Sequence, residues 1–310
     1  MRAPGSVIRE GPRGDPGRNR PDDARPSRRP QRASSSTPGA APGRTGARPQ
    51  EGALDRPRDP LPTRVQDLPP LPAEYADVLD AGLQALGLRL EPEARAAIDG
   101  HARLLLAWTE AINLTAIRDP QGVARLHVLD SLAAVPLLAS RDAAGLLDLG
   151  SGGGYPGLPL AAVLRPGRTL LVDSIAKKVG FLRAVTEATG LAGRVAAEAV
   201  RVEALARDRR DREAWPVVTV RAVASLAELI EIGLPLVAPD GLLVAWKREP
   251  LEDELATAAP TLAALSAGRV TVHETGVPGL EGHRLVVVAR GGPIDRRFPR
   301  DPAERRRRPL

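Results

Sequence analysis

The first part of the chain with many large apolar side chains carries them at helical spacing. Those of the first predicted helix recur at intervals of three and four: Tyr75, Val78, Leu79, Leu83 and Leu86. Gly87 stands where such a helix would end. A second amphipathic pattern follows Pro92, and a third follows Asp119-Pro120, which places a proline in the first helical turn. We therefore expect a helical cap over residues 71–140.

From Gly145 onward, short apolar runs alternate with helical patterns. The predicted strands are residues 146–149, 169–172, 195–197, 217–220, 241–246, 270–273 and 284–289. The predicted helices between them are residues 174–189, 226–237 and 251–265, the last interrupted at Pro260. Strands separated by helices imply right-handed crossovers and a parallel sheet. The pattern predicts an α/β domain over residues 141–290, with ligands bound beyond the carboxyl ends of the strands.

The run from Leu146 to Gly157 joins an apolar strand to a glycine-rich loop and then to an apolar helix. Five glycines fall within the nine positions that follow Asp148. Glycine adopts positive φ freely and lets a ligand approach the backbone, and the free N–H groups of the next helix attract polar ligand atoms. A cofactor loop is the favoured interpretation, and a plain turn is the alternative.

The spacing of this loop fits two motifs. Gly152, Gly154 and Gly157 fit the dinucleotide fingerprint G-x-G-x-x-G, with an acid roughly twenty residues further on at Asp173. The motif D-x-G-x-G-x-G of S-adenosylmethionine (SAM) methyltransferases is carried by Asp148, Gly150, Gly152 and Gly154. A carboxylate beside a pyrophosphate would be repelled, whereas SAM carries an ammonium and a sulfonium. Asp148 therefore favours SAM.

Other polar residues follow the carboxyl ends of the predicted strands. Asp173 could accept hydrogen bonds from ribose hydroxyls or cap the next helix. The Arg201-Val202-Glu203 turn, Arg221 and Lys247 complete the set. We expect this set to surround the ligand.

Lysine usage draws attention to three positions. Only residues 177, 178 and 247 are Lys among 44 basic residues, and all three lie near the predicted ligand face. Lys247 is the strongest functional candidate of the three. Chance and a solvated helix face are the alternatives.

Polar residues of the cap admit structural roles as well. Asn113 and Thr115 are typical of turns and caps. His127 and Asp130 lie three residues apart on one helical face and could contact a ligand or each other. A structural pair is the favoured interpretation.

The positive charge of the chain is concentrated at its ends. Residues 1–60 contain thirteen Arg and seven acids, and residues 291–310 contain seven Arg and three acids, whereas the whole chain carries +6. The intervening part is therefore mildly acidic. Residues 1–70 have too few large apolar side chains to offset chain entropy, so disorder is predicted for them and for the basic tail 291–310. The arginines suggest a polyanion such as nucleic acid, and a genome rich in G and C is the alternative cause.

Composition excludes several kinds of chemistry. The chain has no Cys, which removes disulfides, thiolate metal sites and cysteine nucleophiles. No apolar run approaches the roughly eighteen residues of a membrane span, and the N-terminus lacks the apolar core of a signal peptide. We expect a cytoplasmic protein that binds no metal.

Several motifs together resemble one known family. The runs are NLTAIRDP from Asn113, HVLDSL from His127, GSGGGYPGLP from Gly150, DSIAKKVGFL from Asp173, RAVASL from Arg221 and AWK from Ala245. They resemble the RsmG (GidB) methyltransferases over roughly residues 75–290. The resemblance implies a Rossmann-like class I SAM-dependent methyltransferase sheet. It also implies methyl transfer to N7 of a guanosine in 16S ribosomal RNA.

The resemblance also implies roles for individual residues. Gly150 and Tyr155 would lie in the SAM loop, Val202 and Glu203 beside the adenine, and Arg221 at the mouth shared by cofactor and substrate. Two positions depart from the family pattern: Tyr155 stands where Phe is common, and Leu126 stands where a basic residue usually precedes the histidine. The second departure weakens a direct RNA contact by this helix.

Guanine N7 has an exposed lone pair and no proton, so methyl transfer to it requires positioning rather than a strong base. The base becomes cationic as the bond forms, and a carboxylate or carbonyl nearby would stabilise it. Arg221 and Lys247 are therefore assigned to RNA phosphate or the SAM carboxylate.

Three alternatives stay open at this point. They are a methyltransferase of the same fold acting on a protein or small molecule, a nicotinamide oxidoreductase, and an RNA-binding module without catalysis. The expected partner is 16S rRNA or the small ribosomal subunit, and the expected state is a monomer.

Overall fold

Seven strands form one mixed sheet in this computed structural model, which describes residues 60–139, 145–221 and 224–310. The strands are β1 Leu146–Leu149, β2 Thr169–Asp173, β3 Val195–Ala199, β4 Trp215–Val220, β5 Val237–Arg248, β6 Ala267–Glu274 and β7 His283–Arg290. Their order is β3-β2-β1-β4-β5-β7-β6. This is the order of the class I SAM-dependent methyltransferase sheet, so the predicted fold class is confirmed.

The prediction of a wholly parallel sheet is wrong at one edge. Strands β1 to β5 are parallel, but β7 runs antiparallel to both β5 and β6. Only residues 275–282 join β6 to β7, with Gly276 and Gly279 at positive φ. A parallel crossover needs a dozen or more residues, so this short loop can only reverse the chain.

The helices alternate with the strands after an all-helical start. They are α1 Ala73–Ala85, α2 Pro92–Ile112, α3 Pro120–Gly122, α4 Asp130–Leu132, α5 Val135–Leu138, α6 Gly157–Leu164, α7 Ala176–Ala188, α8 Val202–Leu205, α9 Leu226–Gly233, α10 Glu252–Ala264 and α11 Pro302–Arg307. A π-helix, Val123–Leu129, joins α3 to α4, so the predicted third helix is present but wider in its middle.

Two predicted helices differ from the observed ones. The helix that starts at Leu226 ends at Gly233, and a 3₁₀ turn, Leu234–Leu236, follows it. The interruption predicted at Pro260 is wrong, because α10 runs through it. Pro260 and Ala256, four residues earlier, are both exposed, so water can hydrate the carbonyl that the proline leaves without a donor.

Alternate residues of the central strands enter two separate cores. Leu146 and Val217 face the core formed with α1, α2, α6 and α7, whereas Leu147 and Val218 face the core formed with α9 and α10. This follows from the two-residue period of a strand. The first face is covered by the helical cap, so we call it the cap face, and the second is the C-terminal face.

The prediction of a disordered tail at residues 291–310 is wrong. Ile294 and Phe298 are buried in the C-terminal core, and α11 begins with Asp301 accepting a hydrogen bond from the Ala303 N–H. Charges that suggested a solvated tail are instead paired, as Arg300 is with Glu231. Residues 291–310 are called the C-terminal strap below.

The N-terminal prediction divides at residue 60. Residues 60–70 were expected to be disordered, but Leu61, Val65 and Leu68 pack against the cap core, and Trp108 Nε1 donates to the Pro62 carbonyl over 2.7 Å. Residues 1–59, also predicted to be disordered, lie outside the described part of the chain. The predicted regions 71–140 and 141–290 and the strap belong to one compact unit.

Candidate functional site

The glycine loop leaves its backbone open at two positions. Gly150 and Gly152 have φ of 67° and 53°, and a Cβ added to either would meet no atom closer than 3.7 Å. Gly154, at φ 89°, is constrained by packing instead, since its Cβ would lie 2.4 Å from Leu158 Cδ1. The first two glycines therefore offer the close backbone approach that a ligand requires, and the third allows the loop to pack.

Asp148 lies beneath this loop rather than at its ligand side. Its side chain is completely buried, Oδ1 accepts from Thr219 Oγ1 over 2.7 Å, and Oδ2 accepts from the Gly157 N–H over 3.3 Å. Burial raises the pKa of Asp148 to about 6, although the Thr219 hydrogen bond opposes the shift. The prediction that the Asp148 carboxylate directly contacts the charged groups of SAM is thus wrong. The carboxylate instead holds the glycine loop and the start of α6.

Asp173 joins the glycine loop to the next helix. Its Oδ2 accepts from the Gly152 N–H over 3.0 Å, and its Oδ1 accepts from the Ile175 N–H over 2.9 Å. The N-cap role considered for Asp173 is not observed, because Ile175 is the N-cap residue of α7 and the Ile175 N–H that donates to Asp173 precedes the helix. A carboxylate oxygen accepts two hydrogen bonds, so each oxygen retains capacity for a ribose hydroxyl, and that role stays a prediction.

Tyr155 is stacked between two histidines of the cap. The ring centroids of His101 and His127 lie 4.2 and 4.8 Å from that of Tyr155, each with an interplanar angle of 18°. His101 Nε2 donates to the Gly153 carbonyl over 2.7 Å, because a carbonyl can only accept. The stack fixes the glycine loop against the cap.

Both histidines of this stack are neutral near pH 7. Burial lowers the pKa of His101 to about 4 and that of His127 to about 3, and the Arg221 guanidinium lowers both further. The sequence interpretation missed His101. It lies three residues after Ile98 and four before Leu105, so the helical period of α2 could have placed it on the buried face.

Arg221 connects the cap to the end of β4. Its guanidinium donates to Asp130 Oδ2 over 3.1 Å, to the Leu126 carbonyl over 3.0 Å and to His127 Nδ1 over 3.2 Å. Asp130 Oδ1 lies 2.9 Å from Nδ1 of His283. The predicted structural role of His127 and Asp130 takes this form: Arg221 bridges the two side chains.

A cavity of about 710 Å³ opens beside this network. His127, Asp130, Arg221, Trp246, Lys247 and His283 are among the residues that line it. Trp246 is held by a hydrogen bond from Nε1 to the Asp130 carbonyl, 2.8 Å long. Residues of the cap and of the sheet therefore line one cavity at the carboxyl ends of the strands.

Lys247 and Glu203 each already have a partner of opposite charge elsewhere in the fold. Lys247 Nζ forms an ion pair with Glu254 and donates to the Ala224 carbonyl over 2.9 Å. Glu203 Oε1 accepts from Arg305 of the strap over 2.7 Å, which lowers the Glu203 pKa although burial opposes the shift. In this arrangement the charge of Lys247 is balanced by Glu254.

Val202 and Glu203 lie in α8, directly after β3, as the expected cofactor edge requires. Val202 packs against the C-terminal core. The Val200 N–H donates to the Asp173 carbonyl over 3.1 Å, so the ends of β2 and β3 are adjacent. The structure brings this turn, Asp173 and the glycine loop together at one edge.

The described residues, which omit 1–59, 140–144, 222 and 223, contain no group of three or more His, Cys, Asp or Glu side chains that could hold a metal ion. In the same residues, no helix is long and apolar enough to cross a membrane.

Comparisons with known proteins give a consistent result. The family model described as GidB, rRNA small subunit methyltransferase G, matches residues 95–281. Ribosomal RNA small subunit methyltransferase G of Roseiflexus sp. (strain RS-1) is 39% identical over 236 residues, covering 76% of this chain and 99% of that protein. The protein of the same name from Leptothrix cholodnii is 41% identical and covers 68% of this chain and 93% of its own.

Among solved structures, an O-methyltransferase from Bacillus cereus in complex with SAH matches with a TM-score of 0.48 and 15% identity. The match covers 69% of this chain and 99% of that chain.

Proposed function

The chain belongs to the GidB family of small-subunit rRNA methyltransferases, and we propose on this premise that it transfers the methyl group of SAM to N7 of a guanosine in 16S rRNA. The observation that carries the proposal is the likeness to a relative along 99% of that protein's length. The geometry supports it, because the glycine loop and a cavity whose lining includes charged side chains both lie at the carboxyl ends of the strands.

The residues at the loop fit SAM. Gly150 and Gly152 leave space that a Cβ would fill, and Asp173 retains acceptor capacity next to them. Ile175, 48% exposed at the start of α7, offers an apolar surface to an adenine ring. We assign cofactor binding to these residues together with Tyr155, Val202, Glu203 and Arg221. When bound, SAM supplies an electrophilic methyl group.

The cavity is the proposed guanine site. A volume of about 710 Å³ is within the range of roughly 300–1,000 Å³ that is usual for small-ligand pockets. Asp130 and the Trp246 ring lie in its wall, and the Asp130 carboxylate would stabilise the positive charge that develops on guanine.

The Asp130–Arg221 ion pair fixes the direction of this carboxylate. The neutral state of His127 adds no further positive charge to the cavity. The Asp130 carboxylate is therefore the proposed partner of the cationic base, while Arg221, Lys247 and Arg248 in the same lining are assigned to phosphate or to orientation.

Positioning is the main task of the remaining groups. Arg221 orients Asp130 and the cap, and Lys247, through Glu254, fixes the start of α9, since the Leu226 N–H donates to Glu254 Oε1 over 2.7 Å. We propose Arg221 as the residue closest to the transfer and Lys247 as a positioning residue. The proposed partner is 16S rRNA or the small subunit, the proposed state a monomer, and the proposed location the cytoplasm.

Radiolabelled SAM tests the substrate. The purified protein is incubated with labelled SAM and small-subunit RNA, and the modified RNA is cleaved with borohydride and aniline. Cleavage at a single guanine is expected, since these reagents act at N7-methylguanosine. Label on protein or small molecules alone would reject the substrate and favour another methyltransferase. Binding of NAD without SAM in a calorimeter would reject the whole class.

Variants of Arg221 test the site. Arg221→Ala is expected to lower transfer by about 100-fold or more, because it removes a charged group that positions the cavity. Arg221 also partners buried Asp130, so the fold is checked by circular dichroism and urea unfolding. Arg165→Ala, an exposed change at the opposite sheet edge, is the control. Full activity of a folded Arg221→Ala protein would remove Arg221 from the site.

A further inference from the structure

The C-terminal strap begins beyond the residues matched by the family model, which end at 281, and it carries a net charge of +4 from seven Arg and three acids. Its apolar side chains, Ile294 and Phe298, are buried against the sheet domain. Part of its charge is also consumed: Arg300 pairs with Glu231, and Arg297 pairs with Asp295. The strap is therefore a folded element whose remaining charges face outward.

Two acids of the sheet domain locate α11 at the ligand edge. Arg305 lies 2.7 Å from Glu203 in α8 and 3.5 Å from Glu228 in the first turn of α9. Helix α8 follows the carboxyl end of β3, and α9 follows that of β4. Because ligands bind at the carboxyl ends of parallel strands, α11 lies beside the proposed cofactor site.

Three consecutive arginines of this strap form no ion pair with an acidic side chain in the part of the chain that the structure describes. Arg306, Arg307 and Arg308 are exposed, and none of them forms an ion pair with an acid in residues 60–139, 145–221 or 224–310. The Arg300 guanidinium donates to the Arg308 carbonyl over 2.7 Å, which fixes the end of the helix. The positive charge is thus held at one place rather than dispersed on a loose tail.

The chemistry of this surface fits a chain of phosphates. Guanidinium groups bind phosphate oxygens in a bidentate manner. A protein partner is normally recognised through buried aromatic or aliphatic anchors, whereas Ile294 and Phe298 of the strap are already buried and Leu310 is partly buried against the same core. Charge without apolar surface is typical of electrostatic binding to nucleic acid.

We propose that Arg306, Arg307 and Arg308, the arginine triplet, dock the phosphate backbone of the RNA substrate next to the methyl-transfer cavity. The inference rests on the proposed function and adds to it a binding surface outside the family-matched region. RNA bound at the triplet would lie at the same end of the strands as the cavity, because Arg305 contacts Glu203 and Glu228 there. The strap therefore contributes affinity for RNA and leaves the cofactor site unchanged.

The test compares two triple variants that each remove three positive charges. One is Arg306→Gln/Arg307→Gln/Arg308→Gln, and the control is Arg89→Gln/Arg165→Gln/Arg269→Gln. The three control arginines are exposed and lie at the other end of the strands. Arg89 precedes α2, Arg165 precedes β2, and Arg269 lies near the start of β6. A third protein, Arg306→Lys/Arg307→Lys/Arg308→Lys (the Lys variant), preserves the charge. Urea unfolding checks each variant.

Affinity is measured without SAM on an in vitro transcript of 16S rRNA over a range of salt concentrations. The triplet variant is expected to bind about 10-fold or more weakly at physiological salt, and its salt slope is expected to fall by about 2, since each phosphate contact contributes about 0.7 to 0.9. The control variant is expected to change affinity by about twofold or less, because screening by salt confines charge effects to short range. The Lys variant is expected to retain most of the affinity, because its three positive charges are kept.

Two further readouts separate the inference from the proposed function. SAH affinity, and kcat at saturating RNA, are expected to be the same in the triplet variant and the wild type. Equal loss in the triplet and control variants, or no loss in either, would overturn the inference. Loss of affinity for the assembled subunit but not for the naked transcript would indicate a protein partner and also overturn it. Failure of the wild type to methylate any RNA would contradict the proposed function instead.

Discussion

The two faces of the sheet are covered by different physical means. On the cap face, Tyr155 is stacked between His101 and His127, and burial lowers the pKa of both histidines so that they remain neutral. On the C-terminal face, Arg300 is buried as a charged group beside Glu231. On the cap face the two buried histidines are kept uncharged and Asp130 is paired with Arg221, whereas the C-terminal face buries the charge of Arg300 against Glu231.

This difference determines how each cover serves the ligand edge. The cap supplies Asp130 and His127 to the cavity, together with the stack that holds the glycine loop. The C-terminal strap supplies Arg305, which pairs with Glu203 at the end of β3. The aromatic stack of the cap thus positions the glycine loop, and the ion pair of the strap holds the neighbouring turn after β3.

The buried ion pair gives the largest expected effect. Arg300 Nε and Nη2 lie 2.8 and 2.7 Å from the two oxygens of Glu231, and both side chains are at most 10% exposed. Arg300→Met leaves an unpaired buried carboxylate and should lower the free energy of unfolding by about 3–5 kcal/mol. Urea unfolding measures it.

A control and a double variant accompany this prediction. Arg297→Met breaks the Arg297–Asp295 pair, in which both side chains are more than 60% exposed, and should cost about 1 kcal/mol or less. Arg300→Met/Glu231→Leu should be more stable than Arg300→Met alone, because both charges are gone. If Arg300→Met were as stable as Arg297→Met, the ionic description of the C-terminal face would be incorrect.

The cap face should respond to pH instead. The folded-state pKa of His101 is about 4, below its ordinary value of 6.5. The folded protein therefore binds fewer protons than the unfolded chain between these values. The contribution of neutral His101 to the free energy of unfolding is complete above pH 6.5 and is lost as the pH falls to 4. His127 acts in the same sense, whereas Asp148, with a raised pKa of about 6, acts in the opposite sense below pH 6.

His101→Gln tests this contribution, because Gln can still donate to the Gly153 carbonyl and the Asp148 contribution cancels in the difference, whereas part of the His127 contribution, which is coupled to His101, is removed with it. The stability advantage of the wild type over this variant should shrink by about 3 kcal/mol between pH 7 and pH 4, from 1.36 kcal/mol per pKa unit. Urea midpoints at several pH values provide the measurement. An advantage independent of pH would mean that His101 is charged or solvated in the folded state.

Two glycines of the loop distinguish packing from ligand space. Gly154→Ala meets Leu158 and His101 at a positive φ and should cost about 2–3 kcal/mol of stability, whereas Gly150→Ala meets open space and should cost about 1 kcal/mol. Gly150→Ala should nevertheless weaken SAH binding about 10-fold or more in a calorimeter, because its methyl group enters the space proposed for the cofactor. Unchanged SAH affinity would place the cofactor elsewhere.

The sequence predicted the cap face better than the C-terminal face, for a physical reason. Apolar residues at helical spacing determine where α1 and α2 pack, and the glycine loop follows from local backbone needs. The strap depends on pairs that are distant in sequence: Arg300 and Glu231 are 69 residues apart, and Arg305 and Glu203 are 102 apart. Composition alone suggested a disordered tail.

At the site, the sequence identified which residues gather at the edge but not the direction of each side chain. Asp148 was expected to face the ligand, yet Thr219 on the adjacent strand turns its carboxylate inward. Lys247 was expected to contact phosphate, yet Glu254 reaches it from α10. Both outcomes depend on a neighbour that only the folded topology brings close. His283 escaped notice for the same reason, whereas the helical period of α2 could have placed His101 on the buried face.

Tyr155→Phe should have the smallest effect, and its direction sharpens the contrast between the faces. The Tyr155 hydroxyl is buried without a hydrogen-bond partner in the described residues, and burial raises its pKa. Removing a buried, unsatisfied hydroxyl should leave stability unchanged or raise it by up to about 1 kcal/mol, while the ring keeps its stacking partners. Thermal unfolding at pH 7.5 measures the change. A loss of more than about 1 kcal/mol would show that the hydroxyl has a polar partner such as a bound water. The Tyr155 ring would then be held by a polar bond as well as by its two stacking partners.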